Sequence, residues 1–258
     1  MMRRAVAAFL VSVCMAFALP AAGDDRAAER RAEVQVGLCS EPDKIIPALG
    51  LEPVAAGRLE VWYFDDPSLG LFGHGLVFRL RIKGGQSELT LKVADQDCAQ
   101  VPPVLIPRRE GKCEYDLHGT DLKGAVSLNT ALDDRTTKEL VAGRLALSQV
   151  LSPAQIRYLQ DVAHAWPLAS GLERLGPVHV DSFRSRSRSL VVEVWRLPSG
   201  RRFIEISQKV GLEEARRTRS ELEGTLAKAG VRVCADQSSQ ARAKLQDLVA
   251  KRARNGGD

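Results

Sequence analysis

Arg79 and Arg81 stand two residues apart in the segment from Leu76 to Val93, LVFRLRIKGGQSELTLKV. Planar guanidinium forks suit phosphate and carboxylate oxygens, which they grip with two parallel hydrogen bonds. Alternate side chains share one face of a strand. Both forks therefore point one way, and Phe78, Leu80 and Ile82 point the other. Lys83-Gly84-Gly85 supplies a tight turn, since glycine takes positive φ at no steric cost. Leu89-Thr90-Leu91-Lys92 starts the return. The segment predicts a hairpin with one cationic and one apolar face. A solvated sheet edge gives the same pattern, so the rest of the chain must separate the two.

Other segments repeat the design. Ala32 to Leu38 alternates strictly, with Glu33, Gln35 and Gly37 opposite Val34, Val36 and Leu38. Leu59 to Phe64 is β-branched and aromatic. Lys112, Glu114 and Asp116 share one face of the next alternating run, and Glu193 and Glu205 alternate with apolar neighbours later in the chain. Arg184, Arg186 and Arg188 alternate with serines, giving a basic stripe if that segment is a strand and a solvated loop otherwise. Helices are expected near Glu41 to Leu49, over Thr136 to Val150, after the Ser152-Pro153 start signal, and over Leu212 to Ala229. Gln237 to Arg254 reads as a polar helix or a tail. The pattern predicts an α+β fold, in which about eight antiparallel strands close into a β-barrel with helices packed outside. Charged faces would line its lumen. Buried unpaired charge is costly, so such a lumen implies water, an ion or a charged ligand.

The first residues stand apart. Met1-Met2-Arg3-Arg4, then an apolar run from Ala5 to Leu19, then Pro20-Ala21-Ala22-Gly23 read as a secretory signal peptide over residues 1–23. A leader over 24–32, a tunnel domain over 33–233 and a C-terminal helix or tail over 234–258 would follow. Bulky Val13 before Cys14 argues against lipoprotein processing, and no other stretch is long and apolar enough to span a membrane. A periplasmic or secreted protein without an anchor is expected. Cleavage removes Arg3 and Arg4, so the formal net charge falls from +5 to +3. That is too mild for a nucleic-acid surface. Cys39, Cys98, Cys113 and Cys234 remain. Four cysteines in an oxidising compartment allow three pairings. Cys98 with Cys113 would close a loop between adjacent strands, and Cys39 with Cys234 would then tie the ends of the domain.

In this order, five pieces resemble the CYTH superfamily, the triphosphate tunnel metalloenzymes. They are Trp62-Tyr63-Phe64-Asp65-Asp66-Pro67, Phe78-Arg79-Leu80-Arg81-Ile82, Leu89-Thr90-Leu91-Lys92, Lys112-Cys113-Glu114-Tyr115-Asp116 and Arg201-Arg202-Phe203-Ile204-Glu205-Ile206-Ser207. The resemblance implies a tunnel of eight antiparallel strands. Inward Arg and Lys would bind a triphosphate or polyphosphate, and inward carboxylates would bind Mg²⁺ or Mn²⁺. By that resemblance, Arg79, Arg81, Lys92 and Lys112 stand at phosphate-binding positions. Arg184 and Arg186 are added as further anion donors by their charge alone. Glu33 and Glu205, helped by Glu114, would be the metal ligands.

The metal end departs from the family's pattern. The first strand should read Glu-x-Glu-x-Lys, and here carries Glu33, Gln35 and Gly37. The closing strand should end Glu-x-Glu, and here carries Glu205 and Ser207. Neutral ligands hold a hard divalent ion more weakly than carboxylates. The leading expectation is an exported tunnel domain binding polyphosphate or a phosphorylated small molecule, with a net-basic lumen and weak or no hydrolysis. An active metal-dependent triphosphatase is one alternative. A structural protein whose inward charges pair with each other is another, and near balance between inward cations and acids would favour it. The four histidines lack metal-ligand spacing, and no nucleophile elbow, P-loop or dinucleotide fingerprint is present.

Overall fold

The structure is a computed structural model that describes residues 31–54, 58–185, 190–238 and 240–255. The signal segment and Arg186 therefore lie outside the described residues. In chain order the strands are β1 (Arg31–Leu38), β2 (Glu52–Pro53), β3 (Leu59–Asp65), β4 (Leu76–Lys83), β5 (Gln86–Val93), β6 (Gly111–His118), β7 (Asp121–Leu132), β8 (Glu173–Arg184), β9 (Leu190–Arg196) and β10 (Arg202–Gly211). The helices are α1 (Pro42–Ala48), α2 (Gly70–Gly73), α3 (Asp134–Ala142), α4 (Pro153–Asp161), α5 (Ala215–Lys228) and α6 (Ala241–Asn255).

Hydrogen-bonded neighbours run β8-β3-β4-β5-β7-β6-β1-β10-β9, and β9 pairs back to β8. The ring is therefore closed, and it has nine strands rather than eight. The strand the sequence reading omitted is β7. An odd ring cannot alternate direction all the way round, so one neighbouring pair must be parallel. That seam is β1 with β6, where Glu33 lies opposite Asp116. Every other pairing in the ring is antiparallel. The two-residue β2 hangs outside the ring on β8.

Local chemistry accounts for the joints. Gly84 (φ +56°) and Gly85 (φ +77°) form the two-residue turn between β4 and β5, where positive φ at both positions suits the strand twist. The Asp65-Asp66 pair turns the chain after β3. Asp65 is buried and accepts hydrogen bonds from the backbone of Asp66, Leu71 and Phe72, at 2.8–2.9 Å. The expected single helix from Thr136 to Val150 is instead the short α3, stopped by Gly143 at φ +78° and followed by a 3₁₀ turn at Leu147–Gln149.

Alternation sorts each strand into an outer and an inner face. Outward Val34, Val36, Val192, Val194, Ile204 and Ile206 pack under α5 and α1. Outward Phe78, Leu80, Leu89, Leu91, Val126 and Leu128 pack under α3 and α4. Gln155 of α4 is fully buried there, and its amide donates to Leu89 O (3.2 Å) and Leu128 O (2.9 Å). A third apolar cluster lies on the inner side. It joins Leu59, Val61 and Tyr63 of β3, Leu175, Val178 and Val180 of β8 and Trp195 of β9 to Leu245 and Leu248 of α6. Helix α6 thus packs against the lumen-facing side of those strands. Cys39 is bonded to Cys234 and Cys98 to Cys113, one of the three pairings the four cysteines allow.

Candidate functional site

Inside the ring is a cavity of about 410 Å³. One wall is cationic. Register aligns Tyr63, Arg79, Thr90 and Asn129 across β3, β4, β5 and β7, and Arg81 lies one inward position farther along β4. Arg81 is the register partner of Val61 on β3 and Glu88 on β5, and Tyr63, Arg79, Arg81, Thr90 and Asn129 all line the cavity. Nε of Arg79, Nε of Arg81 and Oγ1 of Thr90 are buried without a hydrogen-bond partner. Burial raises the Tyr63 pKa, against the pull of the neighbouring Arg79 and Arg81. Burial, and then the neighbouring Arg79, pull the Arg81 pKa down to about 10. The guanidinium stays charged at neutral pH but is poorly solvated.

The facing side is mixed. Glu193 and Glu205 are register partners on β9 and β10. Lys244 of α6 is 5% exposed, and its ammonium sits 3.8 Å from the Trp195 ring centroid. Burial lowers the Lys244 pKa, against the pull of Glu205 and Glu193. At the β5-β6-β1-β10 side the charges are matched. Lys92 is paired with Asp116, and Lys112 with Glu114. Lys209 donates to both Glu114 oxygens at 3.0 and 3.2 Å and lies 3.7 Å from Glu33.

The structure brings Arg79, Arg81, Lys92 and Lys112 into one lumen with Glu33, Glu114 and Glu205. Arg184 is different. It is the register partner of inward Val191 but sits exposed at the end of β8 and does not line the cavity. The net-basic lumen is also corrected. Six cations (Arg79, Arg81, Lys92, Lys112, Lys209, Lys244) face six acids (Glu33, Glu88, Glu114, Asp116, Glu193, Glu205), so the formal charges balance. The cations of β4 to β6 were conspicuous in the sequence, and the acids were spread over five strands. Lys209 was overlooked although it continues the Glu205, Ser207 face of β10 at the same two-residue spacing. Lys244 had no such signal, because its helix looked like a polar tail.

A divalent ion needs several oxygen ligands at about 2.0–2.6 Å. Glu33 and Glu114 are instead turned to Lys209, and Asp116 to Lys92. Among the described residues no three Asp, Glu, His or Cys side chains are arranged to hold a metal. The expected ligand set Glu33, Glu205 and Glu114 does not fit a metal in this arrangement. A Cβ on Gly37 would stand 2.7 Å from the Gln240 amide and 3.5 Å from that of Gln237. Gln237 meanwhile bonds the Gly37 backbone twice, at 3.0 Å each. A larger residue at position 37 would have to displace the end of the Gln240 side chain.

Glu205 carries a pH prediction. Burial pushes its pKa from 4.5 up to about 7, helped by Glu193, Glu33 and Asp116 and opposed by Lys244. The folded state therefore holds this proton more tightly than the unfolded chain. Below pH 4.5 both states are protonated and burial of the neutral acid carries no charge penalty. Between about pH 4.5 and 7 the unfolded chain loses the proton first, so stability falls as pH rises, by up to roughly 3 kcal/mol. Glu205→Gln is expected to flatten that part of a melting-temperature profile measured from pH 4 to 9.

No known protein family profile matches this sequence, and no curated protein does. Solved structures do. HpAC1 from Hippeastrum, described as an adenylyl cyclase candidate with a dominant triphosphatase activity, has a TM-score of 0.57 and 15% identity over 85% of this chain and 95% of its own. An adenylate cyclase candidate from Bacillus halodurans has a TM-score of 0.58 and 16% identity over 83% of this chain and 97% of its own. The fold is that of the CYTH-like triphosphate tunnels.

Proposed function

We propose that the mature protein binds a phosphate-rich anion, a polyphosphate or a phosphorylated small molecule, inside the barrel and hydrolyses it weakly or not at all. Arg79, Arg81, Lys92 and Lys112 are its donors, joined by Lys244 from α6. One observation carries the reading. Two arginine Nε atoms are buried on the cavity wall with no partner, a costly arrangement that an anion would relieve. The triphosphatase activity described for the Hippeastrum protein supports triphosphate as the ligand class. The absence of a fitting metal cluster among the described residues, with Gln35 and Ser207 in place of acids, supports weak turnover. Two disulfides, the signal-like first residues, and the lack of any described helix long and apolar enough to cross a membrane support an exported protein.

The equal count of inward cations and acids favours a second reading, in which the charges serve only one another. The pairing pattern argues against it, because Arg79 and Arg81 are left out of the ion pairs formed among the described residues, whereas Lys92, Lys112 and Lys209 are all engaged. A thermal-shift series with phosphate, pyrophosphate and tripolyphosphate in chelator decides between them. Specific binding stabilises by mass action, by about 2.7 kcal/mol at a hundred times Kd. A melting temperature that rises with chain length supports the anion reading. No shift with any of the three supports the self-paired barrel.

A further inference from the structure

We infer that Lys209 is a built-in counter-cation that takes the role of a divalent ion in this tunnel, so that anion binding here is independent of metal. The inference rests on the lumenal-anion reading for its ligand, and on geometry for its chemistry. Lys209 lies directly opposite Glu33 in the β1-β10 register, and Glu33 lies opposite Asp116 across the parallel β1-β6 seam. Glu114 shares the inner face of β6 with Asp116, two residues away. Three acids on two adjacent strands thus form one patch, which by charge alone would attract a cation.

Three lysines from three strands already answer it. Lys209 of β10 bonds both oxygens of Glu114 and approaches Glu33. Lys112 of β6 takes Glu114 from the other side, and Lys92 of β5 takes Asp116.

A free divalent ion entering this patch would have to displace tethered ammonium groups and shed its own water, which Mg²⁺ does reluctantly. Each ammonium has three donors, so Lys112 and Lys209 can grip a carboxylate and still offer N–H groups to a phosphate in the cavity. The carboxylates then act as anchors that fix the lysines and contact no anion themselves. Ser207, on the same inner face as Lys209, adds no further acid that would tip the patch toward a metal.

Two measurements on the mature, folded protein test this. In the first, Mn²⁺ at about 1 mM, the weak end of biological hard-cation affinity, is followed by its free-ion electron paramagnetic resonance signal with no anion present. The native protein is expected to leave that signal unchanged. Lys209→Gln is expected to reduce it, and Lys209→Arg, which keeps the charge, is expected to leave it unchanged. Uptake of Mn²⁺ by the native protein, or none by the folded Gln variant, overturns the inference. In the second, tripolyphosphate is titrated into the native protein in chelator and in Mg²⁺. Affinities within about threefold of each other support metal independence, and a loss of roughly tenfold or more in chelator overturns it. Binding in neither condition overturns the lumenal-anion reading, while the Mn²⁺ measurement on the free protein still decides the role of Lys209. The second titration uses no variant and so stands even if the Gln variant does not fold.

Discussion

Replacing Arg81 by methionine is expected to weaken tripolyphosphate binding by about 10- to 150-fold, from the roughly 1.5–3 kcal/mol of a hydrogen bond to a charged group. The same change is expected to raise the melting temperature of the free protein. The two effects share one origin. Arg81 is desolvated, its Nε is unpartnered, and its nearest like charge is Arg79 on the same face of β4. Arg79 depresses its pKa more than Glu193 restores it. In the empty barrel the side chain is therefore a net liability, and the unbranched methionine can occupy the volume of its stem. With an anion present the same guanidinium becomes the best-placed donor. Thermal melts of native and Arg81→Met protein, each with and without ligand, separate the two terms. If the free variant melts lower and the ligand shift is unchanged, the arginine is serving the barrel rather than an anion.

The second large effect concerns the ends of the barrel. Cys39 and Cys234 are 195 residues apart in sequence, and their bond joins the end of β1 to the segment that leads into α6. Chain-entropy estimates rise with loop length, to about 4.7 kcal/mol for a 100-residue loop, and loss of a native disulfide typically costs about 2–5 kcal/mol. Cys39→Ser with Cys234→Ser should therefore lower the urea midpoint more than Cys98→Ser with Cys113→Ser, whose loop spans 15 residues. The first pair should also loosen Gln237 and α6, and with them Lys244. Hydrogen exchange of the α6 amides would report that loosening directly, while equal midpoints for the two variants would refute the ranking.

The part of the fold set by short-range rules was readable. Gly84-Gly85 between two alternating arms gave the β4-β5 hairpin, and alternation alone placed Arg79 and Arg81 inside and Phe78 and Leu80 outside. The same rule made β7 hard to see. Its inward residues are Ala125, Ser127 and Asn129, small or neutral side chains that mark no charged face, and its presence fixes the parity of the ring. The balance of charge in the lumen was illegible for another reason. It depends on which acids of β1, β6, β9 and β10 come to face the cations of β4 and β5, a matter of barrel closure. Lys244 is the extreme case, since nothing near it in sequence says that its helix packs against the inner side of the barrel.

The parallel seam has a consequence for how the chain is made. The strand that begins the barrel, β1, is flanked by β6 and β10, so neither neighbour exists when β1 leaves the ribosome. The hairpins β4-β5, β6-β7 and β9-β10 can each form locally, within microseconds of being available. Closure must wait for the last strand, and contacts of such long range are slow to find. During that wait Cys39 is exposed together with Cys98 and Cys113, and its eventual partner Cys234 arrives last. A bond from Cys39 to Cys98 or Cys113 formed in that interval would have to be exchanged before Cys39 and Cys234 could join.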